Sequence, residues 1–348
     1  MPPAPAAVEE NAVKAFARAL ADLHHIASAA SIQEFPAEAM RLLRKWIAFD
    51  GAVLGMGRAE PVPQATLEIA EAYVHNRAPC ILDDYAEVSA ADPITHAFLD
   101  GLVAPLRCDC RSLYASRALD ALATFSRRHD LHHLMIFGDA PLAQAPARWL
   151  VMYRGTALPF SAGDEQRLYA LWLHLDIAIS ANWHHALERI ASDRTAAANS
   201  PADSATAVTG AMRRALALAT KHGAILAADP LFVALMRREW PDFQEISLPQ
   251  PVLDSFLQRQ GYRGKCIDIQ FAGYAGCIAC SVKPVAPARL SPAENRVAML
   301  FSAGMSQKEV ARALGVSEHT VRAQLKSAYA KLGVHDKAEL TRYVVLNS

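Results

Sequence analysis

Apolar and polar positions along the last sixty residues repeat with helical period, and capping chemistry marks where each helix starts. Ser291-Pro292-Ala293-Glu294 is a capping box with Pro at the first helical position, and Ser306-Gln307-Lys308-Glu309 is a second. Ser317 suits the N-cap of a third helix, and Asp336-Lys337-Ala338-Glu339 can open a fourth. Gly304, Gly315 and Gly333 stand where the preceding helices should stop. The pattern predicts helices over 292–303, 307–314, 318–332 and 337–346. In the third, Val321, Leu325, Ala328 and Leu332 form a buried stripe, with Leu300, Val310, Leu314 and Val316 as expected partners. Arg322 and Lys326 lie four apart on another face, beside Ala323.

Further upstream the periods are mixed. Helical patterns cover 11–29 and 36–47, and strand-like runs follow at 52–56, 134–137 and 149–153, with a helical insert between the first run and the last two. Ser161 and Asp164 cap a long helix with Leu168, Leu171, Trp172, Leu175, Ile179 and Leu187 on one stripe. At about 28 residues it would span roughly 42 Å. It is expected to cover its own domain and to pair subunits. Residues 191–209, rich in Ala, Ser, Thr and Asp, read as a linker. Ala215–Ala219 and Ala224–Ala227 flank Lys221-His222-Gly223 as a hairpin, Asp229-Pro230 opens a helix, and Lys265–Phe271 turns at Ala272-Gly273 into Tyr274–Val282.

These elements divide the chain into a disordered tail (1–10), a mixed helix–strand domain (11–190), a linker (191–209), a small second domain (210–285) and a helical end (288–348). The hydrophobic fraction of 52% suits packed cores. No apolar run approaches a membrane span, and the start lacks the basic and apolar regions of a secretory signal. A cytoplasmic protein with mostly reduced cysteines is expected. Charge sharpens the division. The whole chain carries 35 Lys/Arg and 35 Asp/Glu, but residues 288–348 hold nine against five, so the remainder is acidic.

Two short helices joined at Leu314-Gly315-Val316, the second two-faced and basic, have the layout of a helix-turn-helix. Arg322 and Lys326 are the expected base readers, with Ala323 permitting close approach to a thymine methyl. Ser306, Gln307, Lys308, Thr320 and Gln324 are the expected phosphate contacts, four of them near helix starts.

Residues 288–348 resemble the LuxR-type helix-turn-helix of bacterial transcription regulators. The resemblance rests on Leu290-Ser291-Pro292-Ala293-Glu294, Gly304-Met305-Ser306-Gln307-Lys308-Glu309-Val310-Ala311, Leu314-Gly315-Val316-Ser317, Thr320-Val321-Arg322 and Lys331-Leu332-Gly333-Val334. Ala293 stands where many members carry Arg, and Gln324 where His is frequent. The resemblance implies base contacts from Arg322, Ala323 and Lys326, and a dimer surface around Ala338, Leu340, Tyr343 and Val344. The order of elements in 11–190 resembles a GAF-type sensor, and Trp149–Arg154 with Pro159-Phe160-Ser161 resembles a block found in some long LuxR-type regulators. Residues 210–285 resemble an abbreviated PAS-like domain.

The expected fold is therefore multidomain α+β: GAF-like and short PAS-like α/β sensor domains before an all-α four-helix LuxR-type domain. The expected function is a non-enzymatic regulator that binds double-stranded promoter DNA as a homodimer. The state of the sensor would set whether two DNA-binding ends sit about one helical turn apart. RNA polymerase and a small-molecule effector are the further partners this allows; no cofactor, metal or membrane is expected.

Two other chemistries fit parts of the pattern. One is a sigma-like factor, which shares this helix-turn-helix. The other is a thiol-redox or metal sensor. Cys277-Ile278-Ala279-Cys280 has redox spacing but falls in a strand, where the two side chains face opposite ways. Cys108-Asp109-Cys110 lies between Arg107 and Arg111, which would favour thiolate. The adjacent pairs His24-His25, His132-His133 and His184-His185 do not converge on a metal. No G-x-S-x-G, Walker loop or H-E-x-x-H occurs.

Overall fold

Short apolar runs build two antiparallel sheets, and one long helix lies against both. The computed structural model describes residues 5–60, 66–139, 147–155, 158–198, 214–285, 290–332, 336–337, 339–341 and 344. The first unit comprises α1 (Pro5–Ala29), α2 (Phe35–Leu43), β1 (Gly51–Glu60), β2 (Thr66–His75), α3 (Ile81–Ala86), α4 (Pro93–Leu99), β3 (Leu106–Asp109), α5 (Cys110–Leu113), α6 (Asp120–Arg128), β4 (His133–Asp139), β5 (Ala147–Arg154) and α7 (Ala162–Ala198). Its sheet runs β2-β1-β5-β4-β3, every neighbour antiparallel. Successive side chains take opposite faces. Leu54, Met135, Phe137, Leu150 and Met152 meet α1, α2 and the first half of α7. Val53, Leu134, Ile136 and Trp149 meet the helical segments between β2 and β4. Both faces are covered, so Leu134–Phe137 and Trp149–Tyr153 are apolar throughout.

The cap expected for α7 forms: Asp164 N donates to Ser161 Oγ at 3.1 Å, and Ser161 N donates to Asp164 Oδ2 at 2.9 Å. The helix runs 37 residues, about 55 Å and longer than expected. Residues 191–198 belong to it and not to a linker, because their Ala-rich run favours helix. The expected tail is also partly helical, with α1 starting at Pro5.

The second unit comprises β6 (Ala215–Ala219), β7 (Ile225–Ala228), α8 (Pro230–Glu239), α9 (Gln250–Leu257), β8 (Tyr262–Arg263), β9 (Ile267–Tyr274) and β10 (Cys277–Pro284). Its order, β7-β6-β10-β9-β8, repeats that of the first sheet strand for strand. One face packs on α8 and α9. The other meets Met56 and the later part of α7 through Ala186, Leu187 and Ile190. The β9–β10 turn lies three residues beyond the expected Ala272-Gly273. Tyr274 pairs with Cys277, and Ala275 and Gly276 take φ of 47° and 77°. Positive φ at both central residues suits a two-residue hairpin in a right-twisted sheet. Ala275 carries a Cβ in that conformation, a signal invisible to residue preference.

The helical end comprises α10 (Pro292–Ser302), α11 (Gln307–Leu314) and α12 (Glu318–Leu332), followed by helical backbone at 337, 339–341 and 344. Among the described residues no helix is long and apolar enough to cross a membrane.

Glycine at Ala275 should relieve the left-handed strain. Ala275→Gly is expected to stabilise the second sheet by about 1 kcal/mol, seen as slower hydrogen exchange along β9 and β10. Faster exchange would mean that the turn residue is not strained.

Candidate nucleic-acid interface

Each helix of the end domain is fixed locally before it is fixed by its neighbours. Ser291 and Glu294 form one reciprocal capping box, and Ser306 and Glu309 another. Gly315 ends α11 at φ 67°. Thr320 N donates to Ser317 Oγ at 3.0 Å, starting α12. The stripe expected on α12 is buried at Val321, Leu325 and Ala328 and half-buried at Leu332, against Val297, Ala298, Val310 and Ala311. Leu300 and Leu314 join it, but Val316 does not: it stands in the turn at 39% exposure, where the left-handed Gly315 carries the chain away from the core.

With that stripe inward, Arg322, Ala323 and Lys326 are all exposed. Exposed His319 extends the same face by one turn, and its i, i+3, i+4 and i+7 spacing to the other three is a signal the sequence carries. Arg322 Nε donates to Gln307 Oε1 at 3.4 Å, so the α11 start and the α12 face are neighbours. Ser306 and Lys308 are exposed, and Gln307, Thr320 and Gln324 half-buried. Ser306 Oγ donates to Glu309 at 2.8 Å within the capping box. The arrangement presents a basic helix face above a backbone held rigid from behind.

Of the residues proposed for subunit pairing, Ala338 and Tyr343 lie outside the described residues. Leu340 is wholly buried in this domain's own core and Val344 is half-buried on it. The Leu340 side chain therefore has no surface to offer a partner.

Behind the basic face lies an ion pair absent from the sequence reading. Glu294 is 7% exposed and receives Lys331 Nζ on both oxygens at 2.7 Å, with Ser327 Oγ at 2.7 Å. It straps α10 to α12 across 37 residues of chain. Lys331 first, then the Ser327 and Ser291 hydrogen bonds, bring the Glu294 carboxyl down to about 2.

These geometries meet a sequence match. Residues 288–344 match the family described as bacterial regulatory proteins, luxR family. Residues 288–344 are a LuxR-family domain. No curated relative matches the chain. Among solved structures, Escherichia coli SdiA is similar at 14% identity over 95% of this chain and 96% of its own, with TM-score 0.36. CepR2 from Burkholderia cenocepacia, titled an N-acylhomoserine lactone dependent LuxR family factor, is 17% identical over 47% and 93%, TM-score 0.36. Bacteriophytochrome RpBphP3 from R. palustris is 13% identical over 80% and 66%, TM-score 0.36.

The thiols are arranged for packing. Cys280 lies in the second sheet's α8/α9-facing core and Cys277 on the opposite side, as strand geometry requires. Burial pushes the Cys108 thiol up to about 11 and Cys110 to about 12, opposite to the expectation from the flanking arginines. Arg107 does not offset this burial, because it turns away, donating to Glu165 at 2.6 Å and to the Phe160 carbonyl at 3.0 Å. Among the described residues no His/Cys/Asp/Glu group could hold a metal.

In the first unit, buried Asp92 caps α4 at the Ile94 N–H (3.0 Å) and receives Tyr85 (2.6 Å) and Tyr114 (3.2 Å) hydroxyls. Desolvation raises the Asp92 pKa against those bonds. This cluster lines a narrow cavity of about 70 Å³ between the sheet and the helical insert.

The LuxR-family domain should be acid-sensitive through Glu294. Its folded value near 2 lies below the ordinary 4.5, so its stabilisation is complete above pH 4.5 and is lost as pH falls towards 2. Glu294→Gln is expected to speed hydrogen exchange in α10 and α12 at neutral pH and to flatten the change between pH 4.5 and 2. An unaltered pH profile would remove the strap from the stability of the domain.

Proposed function

We propose that the chain is a transcription regulator that binds promoter DNA as a homodimer through α12, under control of its two sheet-bearing units. The observation that carries this is the exposed face of His319, Arg322, Ala323 and Lys326 on a helix whose opposite stripe is buried. Arg322 suits guanine O6 and N7, and Ala323 lets the helix approach the groove. Lys308 and Ser306, exposed at the α11 start, suit phosphates. The GAF-like and PAS-like units contain two sheets, which is not the helical polymerase-binding domain a sigma-like factor would need.

Pairing of subunits is assigned to α7. Its side away from the core exposes Tyr169 (56%), Leu173 (62%) and Ile177 (47%), spaced by four residues and so on one stripe. A second copy of the same stripe gives the two-fold arrangement that a pseudo-palindromic operator matches.

DNA from upstream of the coding region is the substrate for the test. Arg322→Ala is expected to weaken selective binding by about 1–3 kcal/mol and to relax base preference, whereas Lys308→Ala weakens cognate and random DNA alike. Equal losses on both DNAs from both changes would take base reading away from Arg322. Titrating salt separates the phosphate contribution.

For the dimer, Leu173→Glu with Ile177→Glu should convert a two-chain species to one chain by light scattering, with the circular dichroism spectrum retained. An unchanged mass would place pairing elsewhere.

A further inference from the structure

A larger cavity, of about 320 Å³, lies where the two sheet-bearing units meet. Its walls come from both. Phe35, Leu54 and Ile179 belong to the first unit, Leu226 to the second, and Trp183 to the part of α7 between the two cores. The β9–β10 hairpin tip closes it with Ala275, Gly276 and Cys277, and an added Cβ on Gly276 would stand 3.3 Å from Gln33 Nε2. Such a volume holds roughly ten waters' share of liquid and reaches the lower end of ligand sites, which favour domain interfaces.

The polar groups define what would fit. Arg148 is stacked 4.7 Å over the Trp183 ring, and its charge is taken up by Asp176 at 2.6 Å, with Ser180 Oγ at 2.7 Å. It therefore leaves little attraction for an anion. Glu71 and Gln33 line the cavity at its rim, where both side chains are exposed. Glu71 sits close enough to Cys277 to raise its thiol, which burial and that carboxylate together push up to about 11. Lys221 and His222 of the β6–β7 turn face Glu71 and oppose the desolvation that raises its own value. An acceptor carboxylate and an amide at the rim, above aromatic and aliphatic walls, suit a neutral ring system carrying a donor.

We propose that this cavity between the sheets is a binding site for a small, uncharged, planar aromatic molecule bearing one hydrogen-bond donor, its ring against Trp183 and Phe35 and its donor towards Glu71 or Gln33. Its occupant would touch β1, β2, α7 and the β9–β10 hairpin at once, and so bridge the two units.

The probe is 1-naphthol with the full-length unmodified chain. Alkylation of Cys277 by iodoacetamide at pH 9, followed by peptide mass spectrometry, should slow at least tenfold at saturating probe, while that of exposed Cys80 stays constant. Calorimetry should show one site per chain. Ile32 lines the cavity opposite the hairpin tip's unit, so Cys277→Trp and Ile32→Trp, which fill it from the second and the first unit, should each weaken binding at least tenfold with the circular dichroism spectrum retained. Thr95→Ile, which narrows the smaller cavity beside Asp92, should leave it unchanged. An unaltered Cys277 rate, no saturable heat, or binding lost only with Thr95→Ile would each overturn the proposal.

Discussion

The arrangement of the first two units depends on α7 burying its apolar side against two cores in succession. Its early residues, from Leu168 to Ile179, complete the first sheet's helix-covered face. Ala186, Leu187 and Ile190 then close the second sheet's exposed face together with Met56 of β1. A core residue of this size contributes roughly 1.5–3 kcal/mol on burial. Neither sheet could present its apolar face to water without forfeiting several such contributions. The two units are thus tied by packing as well as by chain. Arg148 of β5 adds a polar tie to the same helix through Asp176 and Ser180.

What could be read from the residues was what local chemistry decides. Both capping boxes, the αL stop at Gly315 and the Ser161–Asp164 start of α7 are set by residues within four of one another, and all formed. The β6–β7 hairpin was legible from two apolar runs flanking Lys221-His222-Gly223, and β9 from its alternation. The segments that escaped were short or edge-like. α3, α4 and α5 span four to seven residues, too few for a helical period to register. β8 has two residues. The end of α7 was obscured by composition: Ala, Ser, Asp and Thr look like a linker, yet its alanines favour helix over any competing state.

The candidate interface divides in the same way. Arg322, Ala323 and Lys326 are exposed because their helix has one apolar stripe, and that stripe was legible. The Glu294–Lys331 strap was not, since it joins residues 37 apart and each belongs to a pattern with its own explanation: Glu294 to a capping box, Lys331 to a basic C-terminal turn. The Cys108–Cys110 expectation failed for a related reason. Adjacency in sequence put arginines beside the thiols, but on β3 Arg107 and Cys108 point to opposite faces, and on α5 Arg111 is exposed while Cys110 is buried. Arg107 is therefore spent on Glu165 and Phe160 while the thiols are desolvated.

In the LuxR-family domain the groups that hold the fold and the groups that would read DNA are on opposite faces of one helix. Val321, Leu325 and Ala328 are inside, and Lys331 is fastened to α10. Among the described residues Arg322 has only a long 3.4 Å contact, to Gln307. A long, weak bond of that kind is surrendered at small cost when a guanidinium finds two acceptors on a base edge. The face is thus free to change its contacts without disturbing the core, while the core keeps the helix axis fixed. Rigidity behind and freedom in front are the two conditions that sequence-selective reading from a helix requires, because base-edge geometry tolerates little displacement of the backbone that carries the readers.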